Sequence, residues 1–89
     1  MTLERDVERA LIARVKRLGG MCEKFTSPGR RSVPDRLITL PGGVVIFVEV
    51  KRPGAKPTAL QKRDHQRRRD MGCDVRVIDS IETAQGFEP

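Results

Sequence analysis

Residues 44–48 form an uninterrupted apolar segment, and this feature constrains the fold more than any other. Every residue of the segment is apolar, and most are β-branched. Such a composition favours a central strand that is covered on both faces. A helix-length segment and a second strand-like segment, residues 73–78, follow along the chain. Because a connection this long joins strands in parallel, the sequence predicts a strand–helix–strand crossover.

The other segments complete a predicted order of helix, strand, strand, strand, helix, strand. Apolar residues recur at helical spacing from Leu3 to Leu18, with Thr2 as the expected N-cap and a Gly-Gly pair as the end. The further predicted elements are strands 21–26, 36–40, 44–50 and 73–78, a helix that Thr58 caps and that runs to about residue 71, and a short terminal helix capped by Ser80. We therefore expect one α/β domain over residues 1–89, with a mixed sheet of about four strands flanked by helices.

The charge pattern favours a polyanionic partner. The formal net charge is +6, and the basic residues cluster at Arg30-Arg31 and in residues 62–69. Nucleic acid is the obvious candidate, whereas the alternative is an ordinary soluble surface. A chain of 89 residues has a small core, which pairing into a homodimer would supplement.

The two cysteines and the hydropathy pattern bear on the cellular compartment. Cys22 and Cys73 do not form a C-x-x-C motif, so a zinc site is disfavoured. We expect free thiols in two predicted strands, although one disulfide is possible by number. No apolar segment reaches the length of a signal sequence or a membrane span, so a cytoplasmic location without membrane contact is expected.

Two carboxylates and an amine are placed to converge on one site. Asp35 follows Pro34 at the start of one predicted strand, and Glu49 and Lys51 end the next. Side chains two residues apart on a strand share a face. Two carboxylates suit an octahedral Mg²⁺ that keeps positions open for water and a phosphate. The alternatives are a turn residue at Asp35 and a solvated strand end at Glu49.

The residues beside Glu49 have more than one possible role. The main-chain carbonyl of Val50 is a candidate oxygen ligand from the strand itself. Lys51 is a candidate for orienting or deprotonating the attacking water, or for stabilising developing negative charge. The sequence does not choose among these roles.

Three polar residues on the predicted helices are weaker candidates. Glu8 lies at the border of the apolar stripe, where it can either reach the metal or pair with Arg5 or Arg9. Gln61 lies in the first turns of the second helix and is a candidate for bonding a phosphate or a metal-bound water. His65 is the only histidine, and we expect it at a surface or an interface, with a pKa lowered by its basic neighbours.

Taken together, these motifs resemble the VRR-NUC branch of the PD-(D/E)XK nucleases. The resemblance rests on Pro34-Asp35, Glu49-Val50-Lys51, residues 57–61 and Gly72, and it spans nearly the whole chain. It implies a restriction-endonuclease-like fold and cleavage of DNA with Mg²⁺ or Mn²⁺. It further implies metal ligands and catalytic residues at the positions Glu8, Asp35, Glu49, Val50 (through its carbonyl), Lys51 and Gln61. The chain resembles the small stand-alone phage and bacterial members, which implies a homodimer that cuts branched DNA, including four-way (Holliday) junctions.

The second predicted helix departs from the family pattern because it lacks an apolar face. Only Leu60 and Met71 are clearly apolar, so the helix either packs lightly or meets DNA or a second subunit. The residues expected to bind DNA phosphates are Arg30, Arg31, Lys62, Arg67 and Arg68, with Arg69 beside them.

Two other functions are consistent with the same residues. A non-catalytic DNA-binding module would keep the fold without the chemistry, but it would not need Asp35, Glu49 and Lys51 together. A restriction-type enzyme would read a duplex sequence, for which so short a chain offers little surface.

Overall fold

A computed structural model describes all 89 residues and confirms the predicted order of elements and the α/β class. The elements are α1 (Glu4–Arg17), β1 (Met21–Lys24), β2 (Arg36–Leu40), β3 (Val44–Val50), α2 (Ala59–Asp70), β4 (Asp74–Ile78) and α3 (Ile81–Gln85). None of the three helices is long and apolar enough to cross a membrane.

The four strands form one mixed sheet in the order β1-β2-β3-β4. The pairs β1–β2 and β2–β3 are antiparallel, whereas β3 and β4 are parallel and joined through α2. Gly42 and Gly43 form the β2–β3 turn with φ of 91° and 78°, in the left-handed region that favours glycine. The predicted crossover and the central position of β3 are therefore confirmed.

The strand β3 separates two different layers because its side chains alternate between the faces of the sheet. Ile46, Val48 and Val50 are buried in the hydrophobic core that α1 covers. Phe47 and Glu49 point to the opposite face, where α2 lies. Burying each aliphatic side chain contributes roughly 1.5–3 kcal/mol, so the α1 layer carries most of the apolar stabilisation. The α2 layer is left for polar groups.

The helix α1 begins differently from the sequence expectation. Its N-cap is Leu3, not Thr2, and no side-chain oxygen of the cap residue bonds the first turn. Instead, the Leu3 N–H donates to Asp6 Oδ2 at 2.7 Å. This is the second half of a capping box, so the side-chain hydrogen bond at the start of α1 comes from Asp6 and not from Thr2.

Two strand boundaries also differ from the prediction. The first strand ends at Lys24, and the last begins at Asp74, so Cys73 lies just outside a strand. Both cysteines are half-buried free thiols. Burial raises the pKa of the Cys22 thiol above its ordinary value, which keeps this thiol protonated.

Candidate active site

The start of β2 and the end of β3 bring Asp35 and Glu49 together. Arg36 pairs with Val48 in the antiparallel register, so the preceding Asp35 lies across from Glu49. Asp35 Oδ2 also accepts a hydrogen bond from the Val50 N–H at 2.8 Å. This bond ties the Asp35 carboxylate to the end of β3, next to the Glu49 carboxyl group.

Glu49 is a buried carboxyl group with a polar contact at each oxygen. The residue is 1% exposed, and its Oε1 lies 3.3 Å from His65 Nε2. Gln61 Nε2 donates to Oε2 at 3.3 Å, and Lys51 Nζ lies 3.9 Å from the same oxygen. These contacts fix the orientation of the carboxyl group within the α2 layer.

Burial and the neighbouring Asp35 carboxyl raise the pKa of Glu49 to about 8. Asp35 acts both as a hydrogen-bonding partner and as a negative charge, while Lys51 opposes the shift only in part. Burial and mutual repulsion disfavour ionisation of both carboxyl groups. A divalent cation between them would neutralise both charges. Carboxylate oxygens are also the ligands that Mg²⁺ and Mn²⁺ prefer.

The position of His65 corrects the expectation of a surface or interface residue. Its side chain is 1% exposed and contacts Glu49 from α2. Burial, followed by the charge of Arg69, lowers the pKa of His65 and favours the neutral imidazole. Gln61 and His65 are four residues apart and therefore share one face of the helix. This spacing is the sequence signal for an inward position of His65, but apolar periodicity does not reveal it because the face is polar.

Glu8 is not gathered with the other two acids. Its carboxylate lies 3.1 Å from Arg36 Nε, so the predicted salt-bridge alternative occurs, although with a β2 residue instead of an arginine of its own helix. No group of three or more His, Cys, Asp and Glu side chains has the geometry to hold a metal ion. The α1 acid that contributes to the raised pKa of Glu49 is Glu4, one turn earlier. The metal-binding role of Glu8 stays a prediction.

Arg68 and Arg30 belong to a structural network around a buried aspartate. Arg68 lies over the rings of Phe25 and Phe47, at 5.3 and 5.0 Å from the centroids, and its Nε donates to Asp64 Oδ2 at 2.7 Å. Arg30 donates to Asp64 Oδ1 at 3.1 Å. Asp64 is 4% exposed. Arg68 therefore packs against the protein, and the expected binding of DNA phosphates by Arg68 and Arg30 stays a prediction.

The remaining α2 side chains show how this helix packs without an apolar face. Leu60 and Met71 are 63% and 74% exposed, so neither carries the packing. The inward face consists of the polar residues described above, and the contact of the exposed face with DNA or a second subunit stays a prediction. Arg31, Lys62 and Arg67 are exposed and take part in none of the ion pairs.

Comparison with known proteins agrees with this geometry. No family model matches the sequence. The chain is 52% identical over 77 residues to "Putative nuclease p44" of Acyrthosiphon pisum secondary endosymbiont phage 1, which covers 86% of this chain and 83% of that protein. A solved structure of a VRR_NUC domain is 37% identical, with a TM-score of 0.89 over 97% of this chain and 94% of that one. The chain belongs to the VRR-NUC family of nuclease-like proteins.

Proposed function

We propose that this protein is a divalent-metal-dependent endonuclease that hydrolyses phosphodiester bonds in branched DNA. The observation that carries the proposal is the buried Glu49 carboxyl beside Asp35, with Lys51 Nζ 3.9 Å from Glu49 Oε2. The phage relative at 52% identity, which is named as a nuclease, supports the same activity.

Asp35 and Glu49 are the residues that would hold Mg²⁺ or Mn²⁺. The Val50 N–H faces Asp35, and the N–H and C=O of one strand residue point to the same side. The Val50 carbonyl is therefore directed towards Asp35 and can add a third oxygen. Such a cation supplies Lewis-acid stabilisation of a phosphate and lowers the pKa of bound water.

Three other side chains prepare the site. Gln61 and His65 each contact one oxygen of Glu49 and so fix its orientation. The Glu49 side chain therefore loses little conformational freedom when a metal ion binds. The Lys51 side chain is 15% exposed, and its ammonium group lies 3.9 Å from Glu49 Oε2. From there it stabilises negative charge on a bound phosphate or orients the attacking water.

The exposed charges favour contact with the DNA backbone over reading of bases. Arg31, Lys62 and Arg67 are free to bind phosphates. The only three aromatic residues are phenylalanines, and each lies against an arginine of the protein. Because each ring already packs against an arginine, recognition through the shape of the backbone is favoured over stacking on bases.

A homodimer would give this recognition its symmetry. Two copies related by a two-fold axis present two identical sites, which match the paired strands of a four-way junction. The small core of an 89-residue chain also gains from association.

The test is cleavage of labelled four-way junction, flap and duplex DNA with Mg²⁺, Mn²⁺ or EDTA. The variants are Lys51→Ala and, as a control distant from the site, Lys16→Ala on the exposed face of α1. We expect metal-dependent cutting of the branched substrates by the wild type and the control only. Tight DNA binding without cutting in either metal would instead indicate a non-catalytic DNA-binding module.

A further inference from the structure

A cavity of about 470 Å³ lies beside the candidate active site, between α2, the end of β4 and the β3–α2 loop. Its charged lining consists of three cations, Lys56, Lys62 and Arg69, and one carboxylate, Asp79. His65 also lines it. The volume falls within the range of ligand sites and is large enough for a phosphate group with its water.

We propose that this cavity binds a second phosphate of the nucleic-acid strand whose scissile phosphate lies at Asp35 and Glu49. The inference rests on the proposed function and adds a subsite to it.

The charges of the cavity match an anion. Lys56 and Lys62 are exposed and take part in none of the ion pairs of the protein. Arg69 is held in place because its Nε and one terminal nitrogen donate to the Val75 carbonyl, at 3.2 and 2.8 Å. Its other terminal nitrogen keeps its donors for a ligand. A fixed guanidinium and two free ammonium groups form the donor set that phosphate binding requires.

The position of the cavity places it one side chain away from the carboxylates. The parallel strands β3 and β4 end at the same edge of the sheet, and Glu49 pairs with Val77, which lines the cavity. His65 contacts Glu49 and also borders the cavity, so its ring separates the two sites. A phosphate bound here is therefore near the reacting centre without competing for it.

A second basic cleft lies on the other side of the carboxylate pair. A cavity of about 330 Å³ is lined by Asp35 together with Lys24, Arg30 and Arg31. Asp35 borders one cleft and His65 the other, so the Asp35–Glu49 pair lies between two basic clefts. A nucleic-acid strand that passes over the two carboxylates would therefore enter both clefts, and one of its phosphates would lie in the 470 Å³ cavity.

The direct test uses inorganic phosphate as the probe and metal-free protein in EDTA. Two-dimensional amide NMR should give saturable shifts at Gln66, Arg69 and Val77, which line the cavity, and the double variant Lys56→Gln/Lys62→Gln should lose them. The control Arg9→Gln/Lys16→Gln removes two exposed charges from α1 and should keep them. Shifts that do not saturate, or that persist in the cavity double variant, would overturn the proposal.

The second test measures DNA affinity against salt concentration, again in EDTA. Each lost phosphate contact lowers the slope of log K against log salt by about 0.7–0.9. We expect that decrease for the cavity double variant and a smaller one for the control. Equal decreases would mean that the cavity contributes only general charge, and would also overturn the proposal.

These readouts do not depend on cleavage. A wild type that cuts no DNA but shows saturable phosphate binding would contradict the nuclease proposal and support the anion site. A wild type that cuts DNA but shows no saturable phosphate binding would support the nuclease proposal and contradict the anion site.

Discussion

Replacing Glu49 by glutamine should stabilise the metal-free protein at alkaline pH and flatten its pH dependence. In the folded state the pKa of Glu49 is raised from 4.5 to about 8, so the folded protein binds more protons than the unfolded chain between these values. The free energy of unfolding therefore falls as the pH rises through this window. The contribution of Glu49 is fully present below the window and is lost above it. At about 1.4 kcal/mol per pKa unit, the ceiling is on the order of 4–5 kcal/mol.

The expected loss between pH 5 and pH 8 is smaller, at roughly 2 kcal/mol, because the site borders water beside Lys51 and solvent screens the charges. Glutamine is uncharged and has the shape of the protonated acid. Urea unfolding in EDTA at pH 5, 6, 7 and 8 measures the effect. Glu23→Gln, at an exposed position of β1, is the control and should keep the wild-type slope.

Mn²⁺ at pH 8 should restore the lost stability of the wild type but not act on Glu49→Gln, because the cation binds the ionised carboxylate of the folded state. A pH slope in Glu49→Gln equal to that of the wild type would refute the reasoning. So would equal Mn²⁺ stabilisation of both proteins.

Three further predictions concern single side chains. Lys51→Ala should reduce cleavage by ~100-fold or more with DNA affinity nearly unchanged, since one charge among many phosphate contacts is replaceable; unchanged cleavage rates would remove Lys51 from the mechanism. Asp35→Asn should weaken Mn²⁺ binding at least ~10-fold by calorimetry, and an unaltered isotherm would contradict its role as a ligand. Arg68→Ala should lower the free energy of unfolding by about 2 kcal/mol, because Arg68 packs on two rings and on Asp64. Arg67→Ala should change that free energy by less than about 0.5 kcal/mol. Equal thermal shifts for the two arginine variants would count against the network.

Local sequence patterns were sufficient to predict the sheet and the centre of the candidate site. Residues 44–48 are apolar enough to identify a central strand, and the long connection to the next strand implies a parallel pair. Once residues 36–40 and 44–50 form a hairpin, the register places Asp35 across from Glu49. Period-two alternation then puts Lys51 on the same face.

The packing of α2 could not be read from apolar periodicity. Its inward face is built from Asp64, His65 and Arg68, which are polar and make their contacts with partners distant in sequence. Gln61, His65 and Arg68 follow helical spacing, so the pattern is present in polar residues. These residues face inward because they contact Glu49 and the phenylalanine rings, and only the tertiary structure brings those partners close to α2.

Three consecutive arginines illustrate the same limit. Arg67, Arg68 and Arg69 appear equivalent as a basic cluster, but successive helix positions point about 100° apart. Arg67 is exposed, Arg68 packs over two phenylalanine rings, and Arg69 bonds the Val75 carbonyl. Neutralising all three together would combine a surface effect with a loss of packing, so separate variants are needed.

The central claim is that Asp35 and Glu49 hold a divalent cation, and a crystal soaked in Mn²⁺ tests it most directly. The anomalous difference map should contain a peak bound by both carboxylates and by the Val50 carbonyl, and this peak should disappear in Glu49→Gln. A map without a peak at this position, with the Glu49 carboxyl still bonded to Gln61 and His65, would contradict the account.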